Sequence, residues 1–321
     1  MRAVAIYGPV QEDLRLVEQT LDGLKDVEYP WLAEMMDHVL SAGGKRLRPA
    51  LALLGGNFYN YDLEQLVPLA ASVELLHTAT LVHDDVIDNS ATRRGRPTAN
   101  SLFQNSVSVM LGDYMFAHAA ELVARTGNIR VIRLFAETLM VMAKGELGQD
   151  MAAYDYSQTV RNYFQRIGGK TASLFATACE GGAIISGVPE DGIEALRVYG
   201  RNLGMAFQIV DDVLDFRGDE EEMGKPVGSD LMQGTLTLPS LLAMERYPKE
   251  NPIKKLFSAR RRHDHLGDAV QMVRQCGVLE ESLGIARDFV AKAQEALSAL
   301  PDLPARATLA ELADYVLERR S

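Results

Sequence analysis

The stretch LGDYMFAHAAELVARTGNIRVIRLFAETL, residues 111–139, decides the fold. Its periodic residues return at three- and four-residue steps, first Leu111, Tyr114, Met115, His118 and Leu122, then Ile129, Ile132, Leu134, Phe135 and Leu139. That is the helical period, and the Gly127-Asn128 pair between the two runs predicts a short connection. Working outward, no proline falls between Pro97 and Pro189 or between Pro189 and Pro226. Strand-like alternation bounded by turn residues is hard to find, and Ala, Leu, Glu, Met and Arg supply good helix formers. Further breaks fall at Gly43-Gly44, Gly55-Gly56, Asn89 to Pro97, Gly168-Gly169, Gly187 to Pro189, Arg217 to Gly234 and Tyr247 to Pro252. The segments between them run about 12–25 residues, the length of helices in a bundle with short connections. With no fixed-period repeat and no linker, the expectation is one large all-α domain over residues 1–321. RGDEEEMGKPVGSDLMQG, residues 217–234, predicts a polar surface loop.

The 321 residues carry 33 Lys+Arg against 44 Asp+Glu, a net charge of −11, with 47% hydrophobic and 24% charged residues. Such a chain can bury a large apolar core and has the charge content of a soluble globular protein. An acidic chain is a poor nucleic-acid binder, because that partner calls for a basic face. Taken alone, the net charge also argues against an anionic substrate. Cys179 and Cys276 are the only cysteines; without CxxC spacing they predict neither a disulfide framework nor a zinc site, and a cytoplasmic location is expected. The opening MRAVAIYGPVQEDL lacks the apolar run of a signal peptide. No run approaches 18 consecutive apolar residues, so no integral membrane association is expected.

Two aspartate clusters carry the chemistry. Asp84, Asp85 and Asp88 sit in LLHTATLVHDDVIDNS, and Asp211, Asp212 and Asp215 in AFQIVDDVLDFRG. Both read D-D-x-x-D inside apolar helical sequence. Residues i and i+4 share a helix face, so Asp84 projects with Asp88 and Asp211 with Asp215. Paired carboxylates among Leu, Val and Ile repel each other and are costly to bury. A divalent cation resolves both problems, and oxygen-only ligands favour Mg2+. One such cluster also fits a solvated helix end paired with Lys or Arg; two copies of the pattern weaken that reading. Because Mg2+ usually bridges carboxylates to substrate phosphates, the clusters predict a phosphate-bearing ligand between two helices.

Basic residues supply the other half. GGKRLRP places Lys45, Arg46 and Arg48 after a glycine pair, and TRRGRPT places Arg93, Arg94 and Arg96 just past the first cluster. Lys170-Thr171 follows Gly168-Gly169, and Lys225 lies in the polar loop. Arg forks and Lys point charges suit diphosphate oxygens. Each taken singly also fits a surface charge, and His77 alone also fits a satisfied core histidine.

GGKRLRP, HTATLVHDDVIDNSATRRGRPT, GDYMFAHA, GGKTASLF, FQIVDDVLDF and GKPVGSDLMQGTLTLP, in this order from residue 43 to 239, together resemble the trans-isoprenyl (polyprenyl) diphosphate synthases. The opening GPVQEDL is similar to long-chain members, the hepta-, octaprenyl and solanesyl diphosphate synthases. The last 80 residues add little beyond helical pattern. The resemblance implies a helical bundle of the isoprenoid synthase type with a central substrate cavity, the two Asp-bearing helices facing across its mouth. Asp84, Asp88 and Asp211 would be direct ligands of three Mg2+ ions, with Asp85, Asp212 and Asp215 in supporting or water-mediated roles. Arg93, Lys170, Thr171, Gln208 and Lys225 match positions that hold the allylic diphosphate; Lys45, Arg48, His77 and Arg94 match the isopentenyl diphosphate site. A homodimer is expected, and some heptaprenyl synthases pair such a chain with a smaller non-catalytic subunit. Thr235 stands where farnesyl synthases usually carry lysine, a departure that bears on product length rather than on the reaction.

The implied reaction is ionisation of an allylic diphosphate, attack of isopentenyl diphosphate head-to-tail, and loss of a proton. It needs no side-chain nucleophile, and no Ser/His or Cys/His constellation stands out. Ala79 and Thr80, a turn before Asp84, are small where short-chain members often place Phe or Tyr; Leu76 and Val73 lie on the next turns, and Ile132, Phe135 and Leu139 are candidates on a facing helix. The missing aromatic floor predicts a product of about C30–C45 on family analogy, with geranylgeranyl (C20) or farnesyl diphosphate as the alternative. A terpene cyclase normally carries an asymmetric second metal motif, and a metal phosphohydrolase built on His83-Asp84 needs further aligned histidines; neither matches this chain.

Overall fold

Leu63–Ile87 forms a helix in spite of Pro68, an interior proline that cannot donate to the Glu64 carbonyl. Asp62 caps it, its side chain accepting from the Glu64 amide at 3.0 Å. Leu66, Leu69, Ala70, Val73, Leu75 and Leu76 are completely buried, so this helix is apolar nearly all round and lies in the core. It is long and apolar enough to cross a membrane, yet 67% of its most apolar window is buried inside the protein.

The computed structural model describes residues 6–93, 95–217, 227–249, 251–259 and 262–319. In chain order the helices are α1 Leu14–Gly23, α2 Pro30–Leu40, α3 Leu47–Gly56, α4 Leu63–Ile87, α5 Ala99–Phe103, α6 Asn105–Arg125, α7 Ile129–Met151 and α8 Val160–Ile167. They continue as α9 Ser173–Ile185, α10 Glu190–Arg217, α11 Ser229–Met232, α12 Leu238–Arg246 and α13 Pro252–Ser258. The last are α14 His263–Gln275, α15 Val278–Ala296 and α16 Pro304–Glu318. Among the described residues the only strands are β1 Thr92–Arg93 and β2 Arg96–Pro97, an antiparallel hairpin turning through Gly95 at φ +73°. The all-α expectation holds, and the hairpin falls in the break expected between Asn89 and Pro97.

The chain divides into two compact units, residues 1–138, 174–200 and 296–312 in the first and 139–173, 201–295 and 313–321 in the second. In the first, α4 packs chiefly along α6 and α3. Glycines let backbones meet: a Cβ on Gly55 would lie 2.4 Å from the Cys179 carbonyl oxygen, and one on Gly182 only 2.0 Å from that of Ala52. In the second unit α13 packs on α14, and α12 contacts α8 and α14. There α8 starts at a reciprocal cap, Asn162 N–H donating to the Thr159 hydroxyl and Thr159 N–H to the Asn162 side chain.

One expected break is absent. Gly168-Gly169 does not reverse the chain; Gly168–Ala172 is a π turn that joins α8 to α9. The glycines serve approach instead, since a Cβ on Gly169 would come 3.3 Å from the Val141 carbonyl and one on Gly145 3.2 Å from the Lys170 amide.

Candidate active site

In the first unit the aspartate cluster occupies the end of α4. Asp84 is half-buried, Asp85 is buried and Asp88, the C-terminal cap residue, is exposed. The Asp88 amide donates to the Asp84 carbonyl at 2.8 Å, so the helical spacing predicted for the pair persists to the cap. Asp85, rotated about 100° from Asp84, turns inward and accepts from Arg93 Nε at 2.8 Å. Their side chains are 8% and 26% exposed, so the contact is largely shielded from solvent. The short hairpin thus delivers Arg93 to the supporting aspartate; Arg94 lies outside the described residues. His83 Nε2 is 2.9 Å from the Val109 carbonyl and lies against Gly112, where a Cβ would come within 2.1 Å of that nitrogen. This close approach accounts for the glycine that opens GDYMFAHA.

His77 is half-buried on the same helix, and its carbonyl accepts the Thr80 hydroxyl at 2.7 Å. On the turns before Asp84, Ala79, Leu76 and Val73 are all fully buried. In GGKRLRP the three basic residues have different surroundings. Lys45 is exposed, its carbonyl accepting the Tyr7 hydroxyl. Arg48 lies with its guanidinium 4.8 Å from the centre of the Phe175 ring. Arg46, in the left-handed region at φ 50°, is held by Glu18 and by Glu74 at 2.8 Å. Burial works against its charge, but the two carboxylates outweigh it and push the guanidinium pKa upward.

In the second unit Asp211, Asp212 and Asp215 lie near the end of α10. Asp211 is half exposed and its Oδ1 is 3.3 Å from Nη2 of Arg319, a guanidinium stacked 4.0 Å from the Phe207 ring. Asp215 is buried and accepts the Ser229 hydroxyl at 2.8 Å. Asp212, also buried, accepts two donors: Gln208 Nε2 on Oδ1 at 2.8 Å and the Tyr163 hydroxyl on Oδ2 at 2.6 Å. Burial raises the Asp212 pKa well above the carboxylate range, reinforced by Asp230, against the lowering effect of Tyr163 and Gln208. Burial, then the Asp212 charge, likewise pushes Tyr163 up. The Thr171 hydroxyl donates to Gln208 Oε1 at 2.7 Å, and Lys170 pairs with Glu146 at 2.6 Å. The π turn therefore carries both residues of GGKTASLF expected to hold a diphosphate, a frequent setting for such turns. Lys225 lies outside the described residues, as do 218–226, half of the expected surface loop; the described 227–234 has no exposed residue and includes α11 with Leu231 fully buried, so that part is not a surface loop.

Within the second unit the structure gathers Asp212, Gln208 and Thr171 into one hydrogen-bonded chain. The sequence reading missed Tyr163, Glu146, Ser229 and Arg319. Tyr163, Glu146 and Arg319 lie outside the quoted motifs, whereas Ser229 lies inside GKPVGSDLMQGTLTLP with no role assigned to it; only Tyr163, on the helix that leads into GGKTASLF, was within reach of a spacing argument.

The donor set suits Mg2+. It is oxygen-only, its first aspartates are half-buried or half-exposed, and among the described residues no three His, Cys, Asp or Glu groups converge into a ready cage. An ion that completes its shell with water and phosphate oxygens needs no such cage.

Residues 29–274 match the family model described as polyprenyl synthetase. Heptaprenyl diphosphate synthase component 2 of Bacillus subtilis is 37% identical over 320 residues, covering 100% of this chain and 92% of the relative. Octaprenyl diphosphate synthase of Escherichia coli is 39% identical over 284 residues, 88% of each chain. Among solved structures, a decaprenyl diphosphate synthase from Rhodobacter capsulatus superposes with a TM-score of 0.92 at 41% identity, covering 99% of both chains.

Proposed function

The chain belongs to the polyprenyl synthetase family, and from that premise we propose how its residues perform a trans-prenyl transfer. It is a prenyltransferase that condenses isopentenyl diphosphate head-to-tail with an allylic prenyl diphosphate, giving a trans-polyprenyl diphosphate of about C30–C45 on family analogy. The observation that carries the length is the absence of bulk below the first cluster: Ala79 is buried one turn and a half beneath Asp84, where an aromatic side chain would close the path.

Asp84, Asp88 and Asp211 would hold Mg2+, three ions in our reading, with Asp85, Asp212 and Asp215 as supports. When bound, Mg2+ supplies Lewis-acid stabilisation of the leaving diphosphate. The chain's own residues do the remainder. Lys170, Thr171, Gln208, Arg93 and Lys225 grip the allylic diphosphate, and Lys45, Arg48, His77 and Arg94 the isopentenyl diphosphate. The cationic members of the allylic set, Lys170, Arg93 and Lys225, face charge as it develops on the leaving group, which is where preorganised donors count most. Lys170, paired with Glu146 before substrate arrives, exchanges one anion for another. The apolar residues below Asp84 exclude water from the allylic cation. The departed diphosphate is the base for the final proton, so no side-chain nucleophile is called for.

Residues 1–321 act as one synthase domain in this reading, supported by a family match that draws on both compact units. The protein works in the cytoplasm as a homodimer. The name of the Bacillus subtilis relative, component 2, supports a second reading with a smaller non-catalytic subunit. Purified chain that stays inactive alone and gains activity with a partner would decide for it. For the reaction, farnesyl and isopentenyl diphosphate are incubated with the protein and Mg2+ and the products chromatographed. Products of C30 or longer are expected; accumulation of only C15 or C20 would sink the long-chain assignment.

A further inference from the structure

Tyr163 is fully buried, and its hydroxyl is spent on a carboxylate that is itself buried. Asp212 has a donor on each oxygen, and both donors are neutral. A buried carboxylate held only by neutral groups is poor economy for packing: an apolar pair of similar shape would cost the fold less. The arrangement becomes intelligible when followed outward. Gln208 and Asp212 stand four residues apart on α10; Tyr163 lies on α8 and Thr171 on the π turn that continues it. The bonds Thr171–Gln208, Gln208–Asp212 and Asp212–Tyr163 form a clamp with two feet on each segment. Thr171 orients the Gln208 amide so that Nε2 faces Asp212, since its hydroxyl occupies the amide oxygen. Arg166 lies with its guanidinium 5.5 Å from the centre of the Tyr163 ring and is anchored to Gln158 and the Leu236 carbonyl, which limits movement of the ring.

We propose that Tyr163 is a positioning residue for the second metal-binding aspartate. Its hydroxyl fixes Asp212 as a strut, and the strut holds the adjacent half-exposed Asp211 at the angle from which it takes Mg2+. The clamp's other foot, Thr171, belongs to the diphosphate grip, so the metal side and the diphosphate side of the second unit share one hydrogen-bond chain. This inference rests on the reading of Asp211 as a metal ligand.

The test is a double-mutant cycle read by metal binding. Mn2+ is titrated into protein with one equivalent of inorganic pyrophosphate, free Mn2+ is followed by electron paramagnetic resonance, and the same titration of pyrophosphate without protein is subtracted. Asp211→Asn should weaken binding by about a hundredfold. Tyr163→Phe and Asp212→Asn should each weaken it by about tenfold, and the double variant by no more than the larger single effect, because the two act as one contact. A shift in thermal midpoint shared by Tyr163→Phe with and without metal reports folding alone and is subtracted by the comparison. Wild-type affinity in a folded Tyr163→Phe, or additive effects in the double variant, overturns the proposal. Should Tyr163→Phe not purify, Asp212→Asn still decides: a loss as large as that of Asp211→Asn makes Asp212 a ligand rather than a strut and overturns it. If Asp211→Asn binds Mn2+ like the wild type, the metal reading falls and this inference with it; if only the Tyr163 and Asp212 variants are silent, the metal reading stands and this inference alone fails.

Discussion

Replacing Ala79 by tyrosine should turn a long-chain enzyme into a short-chain one. Ala79 stands five residues before Asp84 on one continuous helix, which places it roughly 7.5 Å along the helix axis from the cluster. Leu63, where the helix begins, is 21 residues before Asp84, about 32 Å by the same rise. An extended isoprene unit, four carbon–carbon bonds of ~1.5 Å each, spans about 4.5–5 Å. The full helix is thus long enough to flank six or seven units, whereas the depth to Ala79 accommodates about two, or C10. A tyrosine ring there should therefore hinder elongation of the C15 primer, with C20 as the longest product expected. Ala79 is completely buried, so the ring either fills the space the tail would use or overpacks the core at about 1–3 kcal/mol. Thermal denaturation separates the two, and the Mg2+ requirement should be unchanged because Asp84 and Asp88 are untouched. Chromatography of products from farnesyl and isopentenyl diphosphate reads the outcome. A folded Ala79→Tyr protein that still makes C30 or longer refutes the argument, since it would mean the tail does not run beside this turn of α4.

Three further outcomes follow from other contacts. Arg46→Ala strips the partner from Glu74, whose side chain is 8% exposed; losing one member of such a pair costs roughly 3–5 kcal/mol, and a thermal midpoint lowered by less than ~2 °C would contradict it. Arg319→Gln frees the Asp211 oxygen now 3.3 Å from a guanidinium that is only 8% exposed, so the Mg2+ concentration for half-maximal activity should fall by at least about two- to threefold, the lower bound set by fully exposed pairs; an unchanged curve would show that the arginine does not compete. Glu180 is more than half buried, and that burial raises its carboxyl pKa. A raised folded-state pKa favours folding below the unfolded value and loses that contribution as pH rises through the folded one. Glu180→Gln should therefore be more stable than the parent at pH 8, and the gap should close toward pH 4; a gap that widens on acidification is the contrary result.

How far the sequence could be read depended on whether a signal was local. Helical period and proline spacing are local, and they were enough for the all-α architecture and for the break at Gly127-Asn128. The Gly168-Gly169 pair misled because a glycine has two uses. It can reverse a chain or admit a neighbouring backbone, and only the Val141 carbonyl at 3.3 Å from a hypothetical Cβ distinguishes them. Among the basic residues, GGKRLRP looked uniform. Arg46 is a structural ion-pair residue because Glu18 and Glu74, both 28 residues away in sequence, close around it; no pattern in the motif separates it from Lys45 and Arg48. Tyr163 and Ser229 were invisible for the same reason, since their partners lie 49 and 14 residues off.

The two clusters, identical as D-D-x-x-D, divide their labour through helix geometry. In each, the first aspartate is half-buried or exposed and the second is buried on its own donor, Arg93 for Asp85 and the Tyr163–Gln208 pair for Asp212. A step of one residue turns a side chain by about 100°, and in both clusters that step carries the second aspartate from the accessible face onto the core face, where it is hydrogen-bonded. The third position breaks the symmetry. Asp88 is exposed because α4 ends at it, whereas Asp215 precedes the last two residues of α10 and is buried against Ser229. The first cluster therefore offers two accessible carboxylates and the second offers one. The three more accessible positions are Asp84, Asp88 and Asp211, which is compatible with the proposal that these three hold Mg2+. The same division bears on the acid excess of the chain. A net charge of −11 counts six aspartates alike, but Asp85, Asp212 and Asp215 are buried on donors of the protein, whereas Asp84, Asp88 and Asp211 keep access to solvent.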